Sequence, residues 1–410
     1  MKGVVGMQLS GKFWRFWSAA VAVNLGDGIR LAAFPLVAAS LTDDAFVVAA
    51  VAAATTLPWL LTGPIAGAWA DRYSARALLA SADALRLGVL AMLIVLILAD
   101  AVTPTILGGS AFLIGVGEAV RDITAQTVVP RLVPTSLIER ANGRLAAGEI
   151  VANEFIGPLA GGLLFAVGAA IPFVANSAVL IFAILLVLGL PALALRVTPS
   201  PPNDGSRGRL SVGLRWVARH AVLRSLVVVG ALVALADSAW FAVFVVYVQD
   251  RLDLGATAFG GLLAVGAAGG LSGSLLADRM IGQARHRMVI LGGIAAAVIS
   301  PALLLIAPSV WLAAAVVLIT SAGFGVFNVA AISLRHRLTP PDLLGRVVAV
   351  SRTAIIGAAA FGALAGGVAA TAFGLDAPLV LAAVLGVVAF MAWLATSPPH
   401  RAFGDGTPAV

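Results

Sequence analysis

Twelve apolar runs follow one another along the 410-residue chain, and each is long enough to cross roughly 30 Å of hydrocarbon as about 20 helical residues. They span 13–40, 46–70, 77–99, 104–128, 144–167, 171–195, 224–249, 255–277, 287–306, 309–333, 346–373 and 376–396. The strands of a membrane barrel are about ten residues of alternating polarity, so these longer, continuously apolar runs read as helices. Composition points the same way. Only 11% of the residues are charged, against about 25% in soluble domains, and the mean hydropathy is +1.05. The first run is too long for a signal peptide and no small-residue cleavage site follows it, so it is expected to remain as a membrane helix.

Lys and Arg resist translocation and gather in cytoplasmic loops. Apart from Arg30 inside the first run, only Arg251 lies in or beside the loops of one class, which instead carry Asp43, Asp44, Asp100, Asp250, Asp253 and Asp376. These loops are assigned to the outside. The Arg-rich loops and both termini are then cytoplasmic, as an even number of helices requires. The net charge of +7 is therefore a topology signal, and a nucleic-acid partner is not expected. With no cysteine in the chain, disulfides and thiolate metal sites are excluded. Two lysines, Lys2 and Lys12, stand against 24 arginines among the 26 basic residues, a usage that suggests a bacterial source and hence the plasma (inner) membrane.

The chain also repeats itself. Asp27 is matched by Asp237 and Phe34 by Phe244 at an offset of 210; "RLVPTSLIER" at 131–140 is matched by "RLTPPDLLGR" at 337–346, offset 206. "GPLAGG" from Gly157 meets "GALAGG" from Gly362, offset 205. Offsets that drift in order mark a duplicated unit. The expected architecture is all-α and integral to the membrane, with twelve transmembrane helices in two pseudo-symmetric six-helix bundles, 1–195 and 224–397. A cytoplasmic linker at 196–223 joins them, and 398–410 forms a tail. Within the linker Leu210, Leu214 and Val217 share a face, so an amphipathic surface helix is expected there.

An acidic residue and an arginine recur in the turns after the second and eighth runs, at Asp71-Arg72 and Asp278-Arg279, 207 positions apart. With the duplicated six-helix plan, this resembles the major facilitator superfamily over nearly the whole chain. The superfamily signature G-x-L-A-D-R-x-G-R-[RK] is met at Gly67, Ala70, Asp71, Arg72 and Arg76, and departs at Trp69, Ser74 and Ala75. Helix five resembles the antiporter signature ending G-P-x-x-G at Gly157, Pro158 and Gly161, but has Asn153 in place of a glycine. The helix-four arginine of the superfamily has no counterpart, Ala111 standing there. "GLRWVARHAVLRSL" and "NLGDGIRLAAFPLVAASLT" look most like the branch of macrolide exporters and the enterobactin exporter. The resemblance implies export by alternating access. It also implies a gating latch of Asp71, Arg72, Arg76, Asp278, Arg279 and Arg346, in which each carboxylate faces a helix N-terminus, and a hinge at Gly157, Pro158, Gly161 and Gly162.

Ionisable groups in mid-membrane are costly and are functional candidates by default. Asp27 lies 12 residues from Arg15 and 16 from Asp43, and Asp237 lies 13 from both Arg224 and Asp250; both sit near mid-depth. Asp27, Asp237, Glu118 and Glu154 are the candidates for proton coupling, with Asp27 first among them. Arg30, three positions on from Asp27, shares its helical face. Asp83, Arg86, Arg121 and Asp122 read as a structural network nearer the cytoplasm. Arg30, Phe34, Trp240 and Phe244 are expected to line the substrate cavity.

An enzyme is not expected. His220, His286, His336 and His400 fall in loops or the tail, no metal-ligand spacing or phosphate-binding loop appears, and no cofactor is implied. The expected partners are a small amphipathic substrate, protons and the lipid bilayer, for a chain acting as a monomer. A lipid or siderophore translocator of the same fold, or a transport-dead receptor, are the alternative readings. The topology is directly testable in a chain without cysteine. D43C and D253C are expected to react with an impermeant maleimide added from outside, and R72C and R279C to be protected; the reverse pattern overturns the orientation.

Overall fold

The computed structural model describes residues 9–70, 72–190, 206–283 and 286–396, with only the backbone at 63, 64, 67, 68, 70, 206–211, 278, 282, 283, 341 and 342. Every regular element among the described residues is helical: α1 (Gly11–Leu41), α2 (Ala45–Ala70), α3 (Ala75–Leu98), α4 (Pro104–Leu132), α5 (Ile138–Glu149), α6 (Gly157–Val167), α7 (Ile171–Leu188), α8 (Ser206–Arg219), α9 (Ala221–Phe241), α10 (Phe244–Asp250), α11 (Ala256–Gln283), α12 (His286–Ile299), α13 (Val310–Leu338), α14 (Pro341–Phe373) and α15 (Ala377–Thr396). Helices satisfy every backbone group within one segment, which hydrocarbon demands. Eleven helical segments among the described residues are long and apolar enough to cross a membrane. The remaining apolar run forms α4, 29 residues long, whose hydropathy is lowered by Glu118, Arg121 and Asp122 in its middle.

The helix starts follow side-chain chemistry. Ser10, Ser74, Thr103 and Ser309 each accept a hydrogen bond from the backbone N–H three residues on, at 3.2 to 3.3 Å, supplying the first turn with an acceptor it would otherwise lack. Three of the runs are not plain α-helix. A π-helical turn, Ile150–Ile156, links α5 to α6; a 3-10 stretch, Ser300–Leu305, follows α12 at Pro301; and a turn at Ala242 and Val243 separates α9 from α10.

The chain forms two units. One holds α1 to α7 together with Ala242–Ala267; the other holds α8, α9 and the described chain from Ala268 onward. In the first, α1 packs against α6 and the π-helical turn so closely that glycine is required. A methyl group on Gly28 would strike the carbonyl of Asn153, one on Gly157 would lie 2.5 Å from the Gly28 Cα, and one on Gly161 would strike the carbonyl of Ile29. The second unit repeats this crossing between α9 and α14. There Gly362 meets the Leu235 carbonyl and Gly366 meets that of Ala239, so the pair Ile29–Gly161 reappears as Ala239–Gly366. Small-residue crossings of this kind let membrane helices exchange dispersion contacts along their backbones.

A second contact recurs in both units. Arg76 donates to the Leu188 carbonyl at the end of α7, and Arg287 donates to that of Leu394 near the end of α15 at 2.7 Å. Each guanidinium satisfies carbonyls that a helix end leaves unpaired and meets the negative end of its dipole. In α8 the buried face is Gly213 and Val217, and Leu214 is 58% exposed. Gly213 lets the helix rest on the backbone of Arg346 at the start of α14; of the expected stripe, Val217 lies on this buried face, and the Leu210 side chain lies outside the described residues.

The backbone crossings predict a contrast among glycine substitutions. G28A and G366A are each expected to destabilise the protein by about 1–3 kcal/mol through overpacking. G109A adds its methyl to open space and is expected to leave the thermal midpoint unchanged or slightly raised. Tryptophan-fluorescence melts of the detergent-solubilised variants measure this; equal midpoints for all three would contradict the crossing.

Candidate functional site

Three helices of the first unit bring seven ionisable side chains together. Asp27 and Arg30 come from α1, Asp83 and Arg86 from α3, and Glu118, Arg121 and Asp122 from α4. Spacing explains why each helix presents more than one: residues three or four apart share a helix face, and the pairs Asp27/Arg30, Asp83/Arg86 and Glu118/Asp122 all obey it. Glycines make room for the long side chains. A methyl on Gly117 would lie 2.6 Å from the Arg86 Cγ, and one on Gly115 would lie 2.9 Å from the Thr55 carbonyl of α2.

The ion pairs form a continuous chain. Arg121 Nε lies 3.0 Å from Asp83, and Arg86 lies 3.6 Å from Asp83 through Nη1 while its Nη2 contacts Asp27. Asp27 in turn lies 3.5 Å from Arg30, whose Nη2 also contacts Glu118. Asp83 and Arg86 are fully buried, Asp27 and Arg30 nearly so, whereas the Glu118 side chain is 22% exposed. Asp122 is half-buried and makes no ion pair among the described residues. Asp27, Asp83, Glu118 and Asp122 thus face Arg30, Arg86 and Arg121, four carboxyl groups to three guanidiniums.

This differs from the sequence expectation in one respect. Asp27–Arg30 and the group of Asp83, Arg86, Arg121 and Asp122 were expected as separate features, and they are one network. The reason is the reach of Arg86, which spans from α3 to Asp27 because Gly117 leaves space for its stem. Arg86 is the residue to which sequence reasoning gives only a structural part; its i,i+3 spacing to Asp83 is legible, its partner 59 positions away is not.

The other candidates fall elsewhere. Asp237 lies half-buried in α9 of the second unit and interacts with Trp240, one turn on. At the offsets of 210 for α1, 207 for α3 and 208 for α4 (Gly115 to Gly323), the cluster is matched by Asp237, Trp240, Ile290, Gly293, Val326, Val329 and Ala330, so Asp237 has no such charged partners. Glu154 is exposed in the π-helical turn, and Glu149, exposed just before it, feels the charge of Asp27. Phe34, Trp240 and Phe244 are buried. Phe34 stands edge-on to Phe173 of α7 at 5.5 Å, with the Arg30 guanidinium 5.9 Å from its ring centre. Phe244 packs on Phe259, and Trp240 on Phe241.

Of the expected latch, Asp71 lies outside the described residues, as does the side chain of Asp278. Arg72 and Arg279 are exposed, Arg76 caps α7, and the backbone of Arg346 carries Gly213. The expected hinge residues are all buried and face two ways. Gly157 and Gly161 meet α1. Gly162 and the Pro158 carbonyl meet the start of α11, where a methyl on Gly260 would lie 2.6 Å from that carbonyl.

The arrangement can hold, release or move a proton within a bundle of membrane helices, and comparison with known proteins gives the context. Residues 9–404 match the family described as transmembrane secretion effector. An uncharacterized MFS-type transporter of Sinorhizobium fredii is 30% identical over 302 residues, covering 69% of this chain and 68% of that one. Among solved structures, the fold is similar to the nucleoside transporter NupG, with a TM-score of 0.74 at 14% identity over 94% of this chain and 99% of that one. It is also similar to a bacterial homologue of the iron transporter ferroportin in an inward-facing state, with a TM-score of 0.75 at 17% identity over 96% and 100%. At these identities the structures share the fold alone. The family match spans nearly the whole chain, and the protein is a multi-pass membrane protein belonging to the transmembrane secretion effector family of major facilitator superfamily transporters.

Proposed function

We propose that this transporter exports small amphipathic compounds from the cytoplasm in exchange for protons, by alternating access. The observation that carries the reading is the ion-pair network of Asp27, Arg30, Asp83, Arg86, Glu118 and Arg121, inside a transporter fold. Charges are expensive in a bilayer, and a salt bridge of this burial is weak support for stability because desolvation offsets its attraction. A network that mixes fully buried pairs with a partly exposed carboxylate suits a group that changes its proton during a cycle.

The remaining parts follow the same reading. The repeats 1–195 and 224–397 are the moving bodies, with both termini in the cytoplasm of a bacterial cell. The acid–Arg turns at Asp71-Arg72 and Asp278-Arg279 act as cytoplasmic latches, each worth about 0.3 to 2 kcal/mol, small enough to break in every cycle. The partner is a small molecule and the energy source is the proton gradient; the chain has no catalytic role.

Inside-out vesicles with an acidified lumen test this. They are expected to accumulate at least one member of a panel of quaternary or neutral amphiphiles, which cannot be trapped by protonation, and to lose it when a protonophore is added. Accumulation that survives the protonophore, or none across the panel, overturns proton-coupled export.

A further inference from the structure

We propose that Glu118 is the carboxylate that takes up and gives back the transported proton, and that Arg86 is a positioning residue that keeps Asp27 an anion throughout. The inference rests on the proton-coupled reading above and assigns its parts to particular atoms.

Access separates the candidates first. A proton must enter and leave the cluster, and Glu118 is the carboxylate of the ion-paired chain that protein encloses least: its side chain is 22% exposed where Asp27 is 8% and Asp83 is 0%. Connectivity separates them further. A proton on Asp27 would break its ion pair with Arg86, leaving a fully buried guanidinium with Asp83 at 3.6 Å as its remaining partner. A proton on Glu118 has no such consequence. Arg30, released from Glu118, still has Asp27 at 3.5 Å on its own helix, so its charge passes from a partner on α4 to a partner on α1. Protonation thus unties α1 from α4 at this pair, while the ion pair of Asp27 with Arg86 continues to hold α1 to α3. Asp122, half-buried and without an ion pair among the described residues, breaks nothing when protonated and so transmits nothing.

The charge count agrees. With every group ionised, Asp27, Asp83, Glu118 and Asp122 outnumber Arg30, Arg86 and Arg121 by one negative charge, and one proton on Glu118 balances the cluster. The surroundings add few other charges. α2 and α7 carry no ionisable side chain, and on the π-helical side Glu149 feels the charge of Asp27 and Glu154 that of Glu149. The step is a proton transfer alone: Glu118 Oε2 accepts a proton from the outer aqueous phase and later donates it to cytoplasmic water.

Infrared difference spectra of the purified, lipid-reconstituted protein between alkaline and acidic buffers test this without a substrate. A component of the protonated-carboxyl C=O absorption that appears on acidification in the wild type is expected to be lost in E118Q and kept in D27N and D122N. R86K, which keeps the cation, is expected to match the wild type, and R86M to gain a second protonated carboxyl that D27N removes. An E118Q spectrum with every carboxyl component of the wild type, or loss of the same component in D122N or D27N, overturns the assignment to Glu118. An R86M spectrum equal to the wild type overturns the positioning role. Should R86M fail to fold, R86Q takes its place: a second protonated carboxyl that D27N removes supports the positioning role, and a spectrum equal to the wild type overturns it. Failure of gradient-driven accumulation in wild-type vesicles would instead sink proton-coupled export, with the titrating group still identified by its band.

Discussion

A guanidinium without water around it, that of Arg86, constrains the first unit more than any other group. In hydrocarbon it must be paired, and the nearest partners available are Asp83 on its own helix and Asp27 on α1. Meeting both fixes the separation of α1 and α3. It also dictates that α4, which passes close by, carries glycine at 117 beside the Arg86 stem. Asp83 then takes Arg121 as a second partner and Asp27 takes Arg30, so the network grows outward from one cation.

The second unit, by contrast, shows what the duplicated plan keeps and what it gives up. The α1–α6 crossing and the α9–α14 crossing use glycines at matching positions against carbonyls at matching positions. An arginine likewise bonds a carbonyl near the end of α7 and of α15, although Arg76 and Arg287 are not at matching positions. Backbone packing and helix-end chemistry are thus common to both repeats. The charges are not. Asp237 answers Asp27, but Ile290, Gly293, Val326 and Val329 stand where a matching network would need its partners. Gly293 instead lets α12 approach α13 at Phe327. One repeat is specialised around ion pairs and the other around apolar contacts, within one pattern of crossings.

Much of this is legible in the sequence, for reasons that differ by feature. The apolar runs fix helix number because the length needed to cross hydrocarbon is set by the bilayer, and glycine repeats expose the crossings because only glycine fits there. Asp27, Arg30 and Glu118 stand out because charge in an apolar run is rare. The joining of Arg86 to Asp27 is not legible, since it depends on how three helices pack and no spacing along one helix encodes it. The π-helical turn at 150–156 does have a local mark, Pro158, which cannot donate to the carbonyl of residue 154; the break at Ala242 and Val243 contains no proline or glycine.

The break after α9 bears on how the protein is made. Residues 242–267 belong to the second repeat in sequence but cluster with the first, resting on Pro158 and Gly162 through Ala256 and Gly260. Membrane chains are synthesised from the N-terminus, and domains tend to fold as they emerge. The first six-helix repeat is therefore complete as sequence before the segment that covers part of its surface exists. Until then, the face around Gly162 is open to lipid, and its glycines offer little side-chain surface to fill the space. The final shape of the first unit is reached only after the linker and α9 have been made, so maturation of the N-terminal unit runs behind its own translation.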